Sequence, residues 1–94
     1  MNEKLLEKKL REQVKKLGGI ALKIYSTWFT GLPDRLILMP GGRLWFVELK
    51  SEGKKPTPRQ TVVIGMLLKL GFSVFVIDTQ ILLDEFLYLI KPEK

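Results

Sequence analysis

Cysteine and histidine are both absent from this chain of 94 residues. Without cysteine there is no disulfide and no thiolate metal site. Without histidine the zinc-finger and zinc-hydrolase ligand sets and the Ser-His-Asp arrangement are excluded as well. Any metal held here is held by oxygen, which selects a hard cation such as Mg²⁺ or Mn²⁺. No apolar run reaches the roughly 18 residues needed to span a bilayer. The N-terminus is too charged, at Glu3, Lys4, Glu7, Lys8 and Lys9, for a signal peptide. The expectation is a protein of the cytoplasm that makes no use of membranes.

Acidic residues are also in short supply. Sixteen Lys and Arg against ten Asp and Glu leave a net charge of +6. That excess favours an anionic partner, nucleic acid first and an acidic membrane second, although a basic solvated face accounts for it equally well. The apolar fraction of 46% lies above the disordered range, so the chain folds as a single domain over residues 1–94.

Hydrophobic spacing orders the elements. Leu5, Leu6, Leu10, Val14 and Leu17 recur at helical intervals, with Asn2 as cap and Gly18-Gly19 as terminator. Glu7 falls at the edge of this stripe, four residues before Arg11, an ordinary surface pair in itself. "IALKIYS" reads as a strand and "TWFTGLP" as a loop. "DRLILM" and "RLWFVELK" are strands joined by "PGG", a hairpin signal. Both are apolar on both faces, which predicts a sheet flanked by helices on both sides. After the basic loop "SEGKKPTP", "PRQTVVIGMLLKLG" is a helix with Thr57 as cap. "FSVFVID" is a strand, and "TQILLDEFLYLIK" a last helix capped by Thr79. The predicted order is α-β-β-β-α-β-α.

Two acids stand at the ends of the hairpin strands, Asp34 and Glu48, with Lys50 two residues further on. A three-residue loop at Pro40-Gly41-Gly42 pairs Met39 with Arg43 and sets Asp34 opposite Glu48. A two-residue loop sends the acids to opposite faces. Directly opposite side chains have Cβ atoms about 4.5–5.5 Å apart, and Lys50 follows Glu48 on the same face. Two carboxylates so close repel unless a positive group joins them, and a divalent cation and Lys50 are the candidates. Such a set suits phosphodiester hydrolysis, in which metal-bound water attacks and a lysine offsets the developing charge. Ordinary strand-end charges, with Lys50 paired to Glu48 or Glu52, remain the alternative.

"GLPDRLILMPGGRLWFVELK", with a Gln ten residues beyond the lysine, resembles the stand-alone virus-type replication-repair nuclease (VRR-NUC) domain of the PD-(D/E)XK superfamily. The likeness runs from "EKKLREQVKKLGG" to "LGFSVFVID". It implies an α/β, restriction-endonuclease-like core: a mixed four-stranded sheet flanked by helices. It implies a Mg²⁺-dependent endodeoxyribonuclease, with Mn²⁺ as substitute, acting as a homodimer on branched DNA in the manner of Holliday-junction resolvases. By position, Asp34, Glu48 and the Leu49 main-chain carbonyl resemble the metal ligands, and Lys50 the catalytic lysine. Glu7 resembles the first-helix acid that reaches the metal, often through water, and Gln60 the helix glutamine lining the site. Gln60 also fits a capping box with Thr57. Phosphate contacts are expected from Lys54, Lys55 and Arg59 at the loop and helix start. Trp28 and Phe29 are expected at a subunit contact or core edge before base stacking. A binding subunit without catalysis, and a nuclease of this fold acting on other DNA or RNA structures, are the competing functions.

Overall fold

The computed structural model describes residues 1–92. Its elements follow the predicted order: α1 (Glu3–Lys16), β1 (Ile20–Lys23), β2 (Arg35–Met39), β3 (Arg43–Leu49), α2 (Pro58–Lys69), β4 (Val74–Ile77) and α3 (Gln80–Ile90). The strands form one mixed sheet in the order β1-β2-β3-β4. The first two pairings are antiparallel and β3 pairs β4 in parallel. A parallel pair requires a crossover connection, and α2 supplies it.

The strands are shorter than their apolar runs. β1 stops at Lys23, although the Ile24 amide still donates to the Asp34 carbonyl at 2.9 Å. Beyond it the chain turns away, with the Phe29 amide bonded to the Ser26 hydroxyl. The helix caps are those read from the sequence. Asn2, Thr57 and Thr79 each accept a main-chain amide of the first turn, satisfying donors that a helix leaves orphaned. Arg43 closes the far end of α3 by donating to the Ile90 carbonyl at 2.9 Å.

Met39 pairs Arg43, so the hairpin loop has three residues. Gly41 and Gly42 both adopt positive φ, 83° and 73°, a conformation that side chains with a Cβ resist. The register of the hairpin is thus written into this Gly-Gly pair.

The two faces of the sheet are not equally covered. On one, Leu6, Leu10 and Val14 of α1 and Leu83, Phe86 and Ile90 of α3 enclose Ile37, Met39, Val47, Leu49 and Ile77. Complete burial of such a side chain is worth roughly 1.5–3 kcal/mol. These eleven residues form one cluster, and among the described residues only one other large apolar side chain, Val63 of α2, is as deeply buried. On the opposite face α2 packs against β4, while Ile20 and Leu22 of β1 stay exposed. The expected two-sided cover is therefore incomplete. α3, which reads as apolar nearly all round, buries a single stripe and exposes Ile81, Tyr88 and Leu89.

The turn from α1 into β1 is tight. A Cβ on Gly19 would lie 2.5 Å from the Leu38 carbonyl oxygen and collide with the Met39 sulfur. Gly19→Ala is expected to destabilise the fold by about 1–3 kcal/mol, the usual cost of overpacking. A lowered urea midpoint with an unchanged m-value is the expected measurement, and an unchanged midpoint contradicts the close approach.

Candidate active site

The hairpin register sets Asp34 across from Glu48, one step beyond the Arg35–Val47 pair. Each carboxylate is held by the other strand's main chain. The Asp34 amide donates to Glu48 Oε1 at 3.1 Å, and the Leu49 amide donates to Asp34 Oδ1 at 3.0 Å. Glu48 is buried. Its second oxygen accepts from the Gln60 side-chain amide at 2.9 Å and meets Lys50 Nζ at 3.1 Å. A buried carboxylate is costly unless paired and hydrogen-bonded, and here both oxygens are occupied. Gln60 serves two ends at once. Its carbonyl oxygen accepts from the Thr57 amide at 2.9 Å, completing the capping box, while its amide nitrogen reaches Glu48. The capping geometry thereby aims the glutamine into the site.

Burial pushes the Asp34 carboxyl up to about 6. The Leu49 amide opposes the shift, the Glu48 charge adds to it, Arg35 opposes it and Glu3 adds again. Only one Asp34 oxygen takes a hydrogen bond from the described residues. A half-buried acid beside a second acid, with an oxygen to spare, is a donor set that a hard cation would relieve. Asp34 and Glu48 fit that role.

Glu7 stands on α1, beside two arginines. Its carboxylate pairs with Arg11 at 3.1 Å and lies 3.8 Å from Arg35. Among the described residues no three acids converge as a metal cluster. Glu7 is engaged by two guanidinium groups. Arg35 is the residue that sequence reasoning passed over. It is 8% exposed, and it donates to the Asp34 carbonyl at 3.1 Å while facing Glu7 of α1. It thus ties the first helix to the backbone of the acid. Glu3 was passed over too, although its charge is felt at Asp34. The available signal was its place one helical turn before Glu7.

The basic residues divide. Lys54 and Lys55 are exposed in the loop after β3. That loop is anchored by the Gly53 amide on Asp78 and by Glu52 on the N-terminal ammonium, both at 3.0 Å. Arg59 is partly committed elsewhere: it donates to the Thr30 carbonyl at 3.2 Å and covers the Phe29 ring. It pins the β1–β2 loop onto α2.

A mixed sheet carrying an acid at the end of one strand and Glu-x-Lys at the end of the next defines the PD-(D/E)XK class of nuclease folds. No protein-family model matches the chain. A curated protein of Acyrthosiphon pisum secondary endosymbiont phage 1, named "Putative nuclease p44", is 45% identical over 80 residues, which are 85% of this chain and 86% of that protein. A solved structure described as "VRR_NUC domain" superposes with a TM-score of 0.87 at 32% identity, over 94% of this chain and 96% of that one. The chain belongs to the VRR-NUC family.

The raised Asp34 pKa has a consequence for stability. The folded chain binds this proton more tightly than the unfolded chain does. Stability is therefore full below the ordinary pKa of 3.8 and is lost as pH rises to about 6. Asp34→Asn should stabilise the metal-free protein at pH 8 by about 1 kcal/mol after solvent screening, which is about 4–8 °C in a domain of this size. The gain should shrink below pH 6 and vanish near pH 4. Thermal unfolding in EDTA across that range measures it, and a gain independent of pH would contradict the shift.

Proposed function

We propose that this chain is a metal-dependent, structure-selective DNA endonuclease that works as a homodimer, resembling Holliday-junction resolvases in its preference for branched DNA. The observation that carries the reading is Glu48, held between Lys50 and Gln60 with Asp34 alongside. A structural ion pair needs no second, half-buried acid beside it, and a site built only to bind an anion gains nothing from two carboxylates. The nuclease name of the phage relative and the VRR-NUC neighbour support the same class.

Each residue then has a task. Asp34, Glu48 and the Leu49 main-chain carbonyl would hold Mg²⁺, with Mn²⁺ as substitute. The bound cation supplies Lewis acidity toward the scissile phosphate and a more acidic water. Lys50 orients the attacking water and offsets charge on the phosphorane-like transition state. Gln60 fixes the Glu48 carboxylate. Glu7 holds Arg35, and through it the Asp34 backbone, with a water-mediated approach to the metal as its further role. Lys54 and Lys55 meet the DNA backbone, and Arg59 adds charge while bracing the loop. Among the described residues no helix is long and apolar enough to cross a membrane. The proposed place of action is the cytoplasm, that of the host if the chain is phage-encoded.

The test is cleavage of labelled four-way junctions, flaps and plain duplexes in Mg²⁺, with an EDTA arm. Lys50→Ala is expected to lose at least about 100-fold in cleavage while its junction affinity holds, because the basic loop still meets phosphate. Activity that survives EDTA removes the metal from the mechanism. Equal loss of binding and cleavage in Lys50→Ala favours a binding role instead.

A further inference from the structure

β4 is an edge strand of the sheet, and its outer side is bare. The Phe46 amide donates to the Ser73 carbonyl and the Lys50 amide to the Ile77 carbonyl, both at 3.0 Å. Alternate residues of a strand turn their main-chain groups to the same side, so Ser73, Phe75 and Ile77 face β3. The amides and carbonyls of Val74 and Val76 face outward, and among the described residues nothing bonds to them. An unpaired edge usually carries a guard, whether a proline, a lysine or a bulge. β1, at the other edge, ends in Lys23, whereas Val74–Ile77 is wholly apolar. Beside the bare edge lies a cleft of about 250 Å³ between β4 and α3. Phe75 and Val76 line its strand side, and Leu82, Glu85 and Leu89 its helix side. Leu82 is 39% exposed and Leu89 55%. Glu85 stands between the two leucines and makes no ion pair among the described residues, whereas Asp84 next to it accepts from Gln80 at 2.7 Å.

We propose that this groove takes an extended peptide segment of another protein, which adds to β4 as a further strand. The main-chain groups of Val74 and Val76 bond its backbone, as in strand addition generally. Its apolar side chains fill the cleft at Leu82 and Leu89, and a Lys or Arg between them meets Glu85. The spacing agrees with this pattern. Leu82 and Leu89 are about 10 Å apart along the helix, and the first and fifth residues of a strand about 13 Å. Charge selects the occupant. A nucleic acid would bring phosphate onto Glu85. A second copy of β4 would bring a second Glu85 to the same groove, on a chain that also carries +6. The groove opens on the α3 face of the sheet, while Gln60 of α2 reaches Glu48 from the other. A bound peptide therefore leaves the acids and Lys50 uncovered. The groove is a place of attachment, and it serves whether or not the chain cuts DNA.

The probe is a synthetic peptide of the pattern Thr-Val-Thr-Lys-Thr-Val-Thr, blocked at both ends. Titrated at low salt into the isotope-labelled chain, it is expected to shift the amide resonances of Val74, Val76, Leu82, Glu85 and Leu89. Glutamate in place of the peptide's lysine, or Glu85→Lys in the protein, is expected to weaken binding on the order of 10-fold. Val74→Pro keeps the ladder to β3, because the amide it removes faces outward. It is expected to abolish the shifts in a protein still folded by circular dichroism. Two peptides N-methylated at alternate amides, the odd set in one and the even set in the other, make the same cut without touching the protein. One is expected to bind and the other not. No shift at millimolar peptide, shifts confined to α2, or equal binding of both methylated peptides would overturn the proposal. So would Val74 and Val76 amides whose protection from exchange rises with protein concentration, since a second copy would then hold the edge.

Discussion

Everything at the candidate site hangs on two reciprocal hydrogen bonds, the Asp34 amide to Glu48 and the Leu49 amide to Asp34. Each acid is gripped by the backbone of the strand opposite. That grip exists only in one hairpin register, since a slip of one residue turns every side chain to the other face. The register depends in turn on Gly41 and Gly42 adopting left-handed backbone. A turn of two glycines far from the chemistry therefore decides whether the carboxylates meet. Arg35 reinforces the arrangement from beneath, holding the carbonyl of Asp34 from the core side of the sheet.

The division of labour between the two faces follows from the same sheet. One face takes nearly all of the buried apolar side chains and supplies most of the stability, through α1 and α3. The other takes Glu48 and Gln60 together with the thinly buried α2. A small chain has little core to divide. Spending it on one side leaves the other with exposed apolar surface, next to the helix that shapes the site. Stability and chemistry are thus separated by the thickness of one sheet.

Electrostatics runs through the site in a consistent direction. Burial and neighbouring acids make the Asp34 carboxylate costly, while Lys50 compensates Glu48. Gln60 on the first turn of α2 adds a neutral donor to Glu48. What is left over is negative charge at Asp34, the feature a cation would answer. The basic excess of the chain is not uniformly available for DNA. Arg59 is drawn into bracing a loop and Arg11 into pairing Glu7, whereas Lys54 and Lys55 stay exposed in the loop after β3.

The sequence by itself determined the element order, the caps at Asn2, Thr57 and Thr79, and the placing of Asp34 across from Glu48 beside Lys50. These are local matters: hydrophobic period, turn chemistry and counting along a hairpin. Gln60 was legible twice over, as a capping-box residue and as a member of a motif, because both follow from its spacing to Thr57 and Lys50. Only the tertiary structure decided which charges find partners across elements. Glu7 read from the sequence as a first-helix acid paired with Arg11, and it is the packing of α1 on the sheet that also brings it to Arg35. Arg35 itself read as one letter of a motif, and its burial between a helix and a strand end is invisible until the two are packed. The same holds for α2. Its pattern reads as a helix capped by Thr57, and no local rule says that the sheet is left half-bare beside it, because coverage is a property of how many elements share a face and not of any one of them.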